Sequence, residues 1–222
     1  MTYMNAHPTP THETLAAAAA DASLPDQVLT QWFGSARPDN AQALQYKSRW
    51  FTKSPAFDEE LRERFGVAVE AALGGALQHW SAQGPWQHLA LVVLLDQFTR
   101  NIFRNTPKSF AGDPQALTLA LQAMQSGADQ QLPEVVRVFM YLPLEHAEDP
   151  AMQQRCVAAF DAMHQAAEEA ELREYLAGSL DYAHRHQVVI ERFCRFPHRN
   201  AILGRASTTE EAAYLAQPGS GF

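Results

Sequence analysis

An all-α domain of stacked antiparallel helix pairs is predicted, on three observations. No stretch alternates apolar and polar residues with β-branched enrichment, as a half-buried strand would. Apolar residues instead recur at three- and four-residue steps along most of the chain. Proline or glycine marks most segment boundaries, and no Gly-, Ser- or Pro-rich linker divides the sequence, so residues 1–222 read as one domain.

The elements follow in order. Leu24-Pro25-Asp26 opens a helix through Val28, Leu29, Trp32 and Phe33; Pro25 suits the first turn, and Gly34 stops it. Asp58, Glu59 and Glu60 place negative charge at the start of the next, as the helix dipole favours. Its apolar positions run Leu61, Phe65, Val69, Leu73, and Gly74-Gly75 kinks or ends it. Pro85 starts a long helix from Trp86 to about Arg104. Asp113-Pro114 reads as a cap followed by a first-turn proline, leading through Leu117, Leu121 and Met124 to Gly127. Pro133 starts a helix that Pro143 ends, and Asp149-Pro150 repeats the cap signal before Val157 and Phe160. A last long segment, about Glu171 to Phe196, is closed by Pro197. Ser207, Thr208, Glu210 and Glu211 fit a capping box for a short helix through Leu215. Residues 1–10 and 216–222 read as loose ends. No repeat of fixed period is visible, so any solenoid character is irregular.

Composition narrows the function classes. With 222 residues, 46% of them hydrophobic, the chain can bury a core unaided, and disorder is excluded. Two cysteines make no secreted disulfide framework. The longest apolar run, Leu89 to Leu95, is far too short to span a membrane. No Lys or Arg precedes Arg37, so the alanine run at 16–20 lacks a signal peptide's basic region. A soluble, cytoplasmic protein is the expectation. The net charge of −8 argues against a nucleic-acid partner on electrostatic grounds. Yet residues 184–205 hold five arginines against one acid, a basic island suited to a compact anion or to acids elsewhere in the chain.

Three segments carry polar chemistry. In LDQFTRNIFR, Gln97, Arg100, Asn101 and Arg104 fall on one helical stripe, and Asp96 can pair with Arg100 four residues on. In RFCRFPHRNAILGR, Pro197 throws His198, Arg199 and Asn200 onto a turn, where they serve a ligand or bond freed helix-end carbonyls. In PLEHAED, His146 stands among Glu145 and Glu148, a pattern for general acid–base work. No metal is expected, because HExxH and cysteine-pair spacings are lacking. No cofactor is expected either: glycine-rich phosphate loops and a GxSxG elbow are missing. Cys194, beside Phe193, is expected to be a packed, inert thiol.

These three segments, with RWFTKSPAFDEELRERFG (Arg49 to Gly66), resemble the signatures of the bacterial domain-of-unknown-function 924 family over roughly residues 25–222. The resemblance implies a tetratricopeptide-like helical fold and no established activity. Its polar positions here include Asp96, Asp113, His146, Glu148, His186, Arg195, Arg199 and Arg205. The chain departs from it with Ala147 where Ser is common, Cys194 where Gly is usual, and Thr99 where Pro is usual.

Two functions remain open. In one, His146, Glu148 and His198 move protons while Asp96, Gln97, Arg100, Asn101, Arg104, Arg195, Arg199 and Asn200 hold a small phosphate- or carboxylate-bearing ligand. In the other, the polar network is internal cement in a non-catalytic module, and a partner protein docks on an apolar groove using Trp32, Trp50 or Trp86.

Overall fold

The computed structural model describes residues 10–221, and its helices run in the order α1 (His12–Ala20), α2 (Leu24–Phe33), α3 (Asn40–Leu44), α4 (Lys47–Trp50), α5 (Pro55–Leu73), α6 (Pro85–Val92), α7 (Thr99–Ile102), α8 (Asp113–Ser126), α9 (Glu134–Glu145), α10 (Pro150–Ala166), α11 (Ala170–Phe193) and α12 (Thr209–Leu215). No strand occurs among the described residues, so the all-α expectation is met. Several boundaries follow the sequence signals directly. Gly34 ends α2 with φ 80°, Asp149 caps α10 through the Ala151 and Met152 amides, and Thr208 and Glu211 close the capping box of α12. Helix α1, which the sequence reading did not anticipate, is capped by the Thr11 hydroxyl and packs against α5.

The core gathers around Phe139 of α9. Trp50, Phe33 and Trp32 meet its ring edge-on, with centroids at 4.7, 5.1 and 5.8 Å. Pairs of this kind add ~0.5–1.5 kcal/mol each beyond area burial. The Trp50 indole N–H donates to the Trp32 carbonyl at 2.8 Å, which lets a polar tip enter this interior. Trp32 and Trp50 therefore belong to the core, and the expected surface groove cannot use them. Trp86 is half-buried under the Arg37 guanidinium.

Every residue from 88 to 99 is buried, so α6 and its continuation form the central helix. The expected unbroken helix to Arg104 is interrupted by a π-helical turn, Val93–Phe98, and α7 stops at Ile102. Side chains satisfy carbonyls in the widened turn: the Thr99 hydroxyl donates to Leu95 O at 2.7 Å, and Arg100 donates to Asp96 O at 2.7 Å. The π turn also alters the register of the side chains, and the expected single stripe divides in two. Asn101 and Arg104 turn to Asp58 on α5, while Arg100 turns to Asp96 and Asp113.

Three further boundaries differ from expectation. Pro143 lies inside α9, which continues to Glu145. The carbonyls at that end are taken up by the buried Gln153 amide, which donates to Glu145 O at 2.7 Å and Ala147 O at 2.8 Å. Asp113 is not a cap: Gly112 occupies that position without a side-chain bond, and Asp113 enters the first turn with its carboxylate free for arginine. The last long helix stops at Phe193 rather than Phe196, because Cys194 adopts φ 56° and ends it as a left-handed cap. The expected loose tail is partly ordered, with Ser220 Oγ donating to Leu215 O. Residues 1–9 and 222 lie outside the described residues.

Candidate functional site

Three distant segments meet where the π turn, the end of α9 and the 3-10 turn Pro197–Arg199 come together. Asp96 sits at the centre, fully buried. His146, the residue that caps α9, donates from Nδ1 to Asp96 Oδ1 at 2.7 Å. The Arg100 guanidinium lies 3.2 Å from the same oxygen and grips Asp113 with both terminal nitrogens, at 2.8 and 3.1 Å. Arg199 reaches Asp113 at 3.2 Å and donates to the His146 carbonyl at 3.1 Å. Its guanidinium packs between the Phe110 and Phe196 rings, 4.7 and 4.5 Å from their centroids. Rings on both sides fix its plane and exclude water.

The protonation states follow from this packing. Burial alone would raise the Asp96 carboxyl, but Arg100 and His146 outweigh it and hold the pKa at about 2. Burial, then the Arg100 charge, lowers His146, so its imidazole is neutral at pH 7. Burial, then the Asp96 charge, raises Glu145 to about 8 and keeps it protonated. Burial chiefly lowers His186, 3.5 Å from Glu145, to about 3, so that pair is neutral as well. The formal charges are then two arginines against Asp96 and Asp113, a balanced cluster.

The cluster reaches solvent at one edge. The side chains of His146, Arg100 and Asp113 are 15%, 19% and 19% exposed, against 8% for Arg199. Nε2 of His146 makes no hydrogen bond among the described residues, and it is not among the buried polar atoms left without a partner. It is therefore accessible to solvent. Two surface clefts lie elsewhere, one lined by Ser48, Arg49, Phe57 and Glu60 and one by Gln78, Pro114 and Leu119.

The remaining candidates separate from this group. Glu148 accepts two bonds from Arg205, at 2.7 and 2.9 Å, and one from the Phe196 amide at 2.8 Å. Those bonds lower its pKa against burial and occupy it as an anchor. Asn200 does not bond helix-end carbonyls as one reading expected: it donates to Ser207 and Glu211 and accepts from Arg205. Arg195 forks onto Glu211 at 2.6 and 2.7 Å, fastening α12. Asn101 and Arg104 share Asp58. Gln97 donates to Asp96 Oδ2 at 2.5 Å and helps orient it. His198 packs on Phe196, lowered to about 4 by burial and the Arg199 charge. Cys194, expected to be packed, is exposed. Among the described residues, no three His, Cys, Asp or Glu side chains converge in a metal-binding group.

Sequence reasoning gave no role in the cluster to two of its members. Asp113 was named only as a polar position of the family resemblance and read locally as a helix cap, and nothing in the sequence marked Phe110 as the ring under Arg199. Asp58, which clamps Asn101 and Arg104, was read only as dipole charge.

Residues 28–219 match the family described as bacterial protein of unknown function (DUF924). A solved structure of a protein of unknown function from Agrobacterium tumefaciens is 38% identical, covering 88% of this chain and 98% of its own, with a TM-score of 0.73. The comparison with curated proteins found no match. A family match over most of the chain, together with that structural likeness, settles the assignment: the chain belongs to the DUF924 family of bacterial proteins of unknown function.

Proposed function

We propose that this protein binds a small carboxylate- or phosphate-bearing ligand at the exposed edge of the Asp96–His146–Arg100–Arg199 cluster, with His146 as a metal-free general base. The observation that carries this reading is the buried Asp96 holding His146 by Nδ1 while Nε2 is left without a partner at the opening. A carboxylate on Nδ1–H fixes the tautomer, leaves a lone pair on Nε2, and stabilises the imidazolium formed when that nitrogen takes a proton. The adjacent Arg100, though paired with Asp113, is 19% exposed and lends positive charge to that edge. Glu148, Arg195, Asn101, Arg104 and Asn200 do not enter the proposed site, because each is engaged in a network of its own.

One observation favours the second reading, a non-catalytic helical module. Each arginine predicted to hold ligand is already paired with a carboxylate. Thermal unfolding with a panel of phosphates and carboxylates separates the two. At a hundred times its Kd a ligand stabilises by ~2.7 kcal/mol, a Tm rise of roughly 5–11 °C for a domain of this size. The ligand reading expects that rise in the wild type and its loss in His146→Gln and Arg199→Lys. No response to any anion supports the module.

A further inference from the structure

We infer that a second anion site, separate from the His146 cluster, lies in the cleft between α4 and the start of α5, and that it takes a phosphomonoester with an apolar or aromatic body. The cleft has a volume of about 380 Å³ and is lined by Ser48, Arg49, Thr52, Ser54, Phe57 and Glu60 among others. Arg49 is unlike the arginines described above. Its guanidinium has no carboxylate or carbonyl partner among the described residues. It is held by rings alone, 4.7 Å from the Phe57 centroid and 5.5 Å from that of Tyr46. Stacking on two rings orients the fork and leaves its N–H donors open, which is a pre-organised anion grip.

The acids nearby do not compete for it. Asp58 is taken by Arg104 and Asn101, Glu59 by Arg62, and Glu60 by Arg64 and by the Gln31 amide at 2.9 Å. Lys53 likewise has no acid partner among the described residues, so two cations near this end of α5 are unpaired there in a chain whose net charge is −8. The hydroxyls of Ser48 and Ser54 keep protons to donate: Ser54 Oγ only accepts, from the Phe57 amide, and Ser48 is engaged only through its carbonyl. A fork and two hydroxyls match the several oxygens of a phosphate. Phe57 and Ala56 supply an apolar wall for the rest of the molecule.

The test is calorimetric titration of the full chain with inorganic phosphate, phenyl phosphate and succinate, alongside Arg49→Gln, Arg49→Lys and His146→Gln. The expected result is saturable binding of phenyl phosphate, tighter than that of inorganic phosphate or succinate. Arg49→Gln should weaken it at least about tenfold, Arg49→Lys should weaken it less, and this Arg49-dependent component should persist in His146→Gln, which removes only binding at the other cluster. Arg49 is exposed and outside the core, and circular dichroism checks that both Arg49 variants fold. Failure of phenyl phosphate to saturate, or equal binding by Arg49→Gln, overturns the inference. Loss in His146→Gln with binding intact in Arg49→Gln assigns the phosphate to the other cluster and overturns it too. The Arg49-dependent component tests this cleft alone, and the His146-dependent component tests the Proposed function.

Discussion

Glu145 and Cys194 show how single side chains carry the local physics. Glu145 is buried with Oε2 unpartnered, and its pKa is raised to about 8 by burial and Asp96. A folded pKa above the unfolded one means the folded state holds the extra proton. Its stabilising contribution is therefore complete below the unfolded value of about 4.3 and is lost as pH rises through about 8. Gln imitates the protonated form, so Glu145→Gln should match the wild type at pH 5 and melt higher at pH 9. Parallel melting curves across that range would show that Glu145 ionises freely. Cys194 adopts φ 56°, a left-handed conformation that costs a residue with a Cβ roughly 1 kcal/mol more than glycine. Its side chain is exposed, so little packing offsets that cost. Cys194→Gly should stabilise by roughly 1 kcal/mol in urea unfolding at unchanged m-value.

At the scale of elements, the site depends on how helices end. The π turn positions Asp96 and Arg100, the Gln153 amide and Arg199 close the end of α9, and Gly112 allows the approach to α8. A Cβ on Gly112 would stand 2.1 Å from the Leu95 carbonyl oxygen. Gly112→Ala should then force the π segment and α8 apart, costing ~1–3 kcal/mol and displacing Asp113 from Arg100. Equilibrium unfolding measures the first, and a small effect would mean that the two segments yield easily. These endings also mark what the sequence could and could not reveal. Pro25, Gly34, Asp149 and Thr208 act within a few residues of themselves, and their signals were legible. The π turn was not, because it arises from packing of a wholly buried segment. Pro143 signalled a stop, but Gln153, eight residues beyond Glu145, satisfies the carbonyls that let α9 continue.

The whole molecule is fastened between remote segments by the ion pairs Arg104 to Asp58, Arg205 to Glu148 and Arg199 to Asp113 and by the hydrogen bond from His146 to Asp96. Arg104, His146, Asp96, Glu148 and Arg199 were visible as candidate residues, yet the pairings were not, since no local pattern links residues 46 to 86 positions apart. The convergence of LDQFTR, PLEH and FPHR was inferred from residue type alone; which arginines face solvent and which are tied inward needed coordinates. Acid should undo this framework. Asp96 and Glu211, both lowered to about 2, and Glu148, also lowered, contribute stability that is present above their unfolded pKa values of about 4 and lost as pH falls through the folded ones. Glu148→Gln should loosen the tail in particular, leaving Arg205 and the Phe196 amide short of acceptors at a cost of about 1–3 kcal/mol. Faster limited proteolysis within residues 194–221, with the core intact, is the expected readout; cleavage unchanged from wild type would remove Glu148 as the anchor.

The central claim concerns one ring nitrogen, and nitrogen-15 NMR of the His146 imidazole reads it directly. The account predicts a neutral ring at pH 7 with the proton on Nδ1, an Nε2 signal that moves saturably on adding a binding anion, and loss of the fixed tautomer in Asp96→Asn. A ring protonated on Nε2, or an Nε2 signal indifferent to every phosphate and carboxylate, would contradict it.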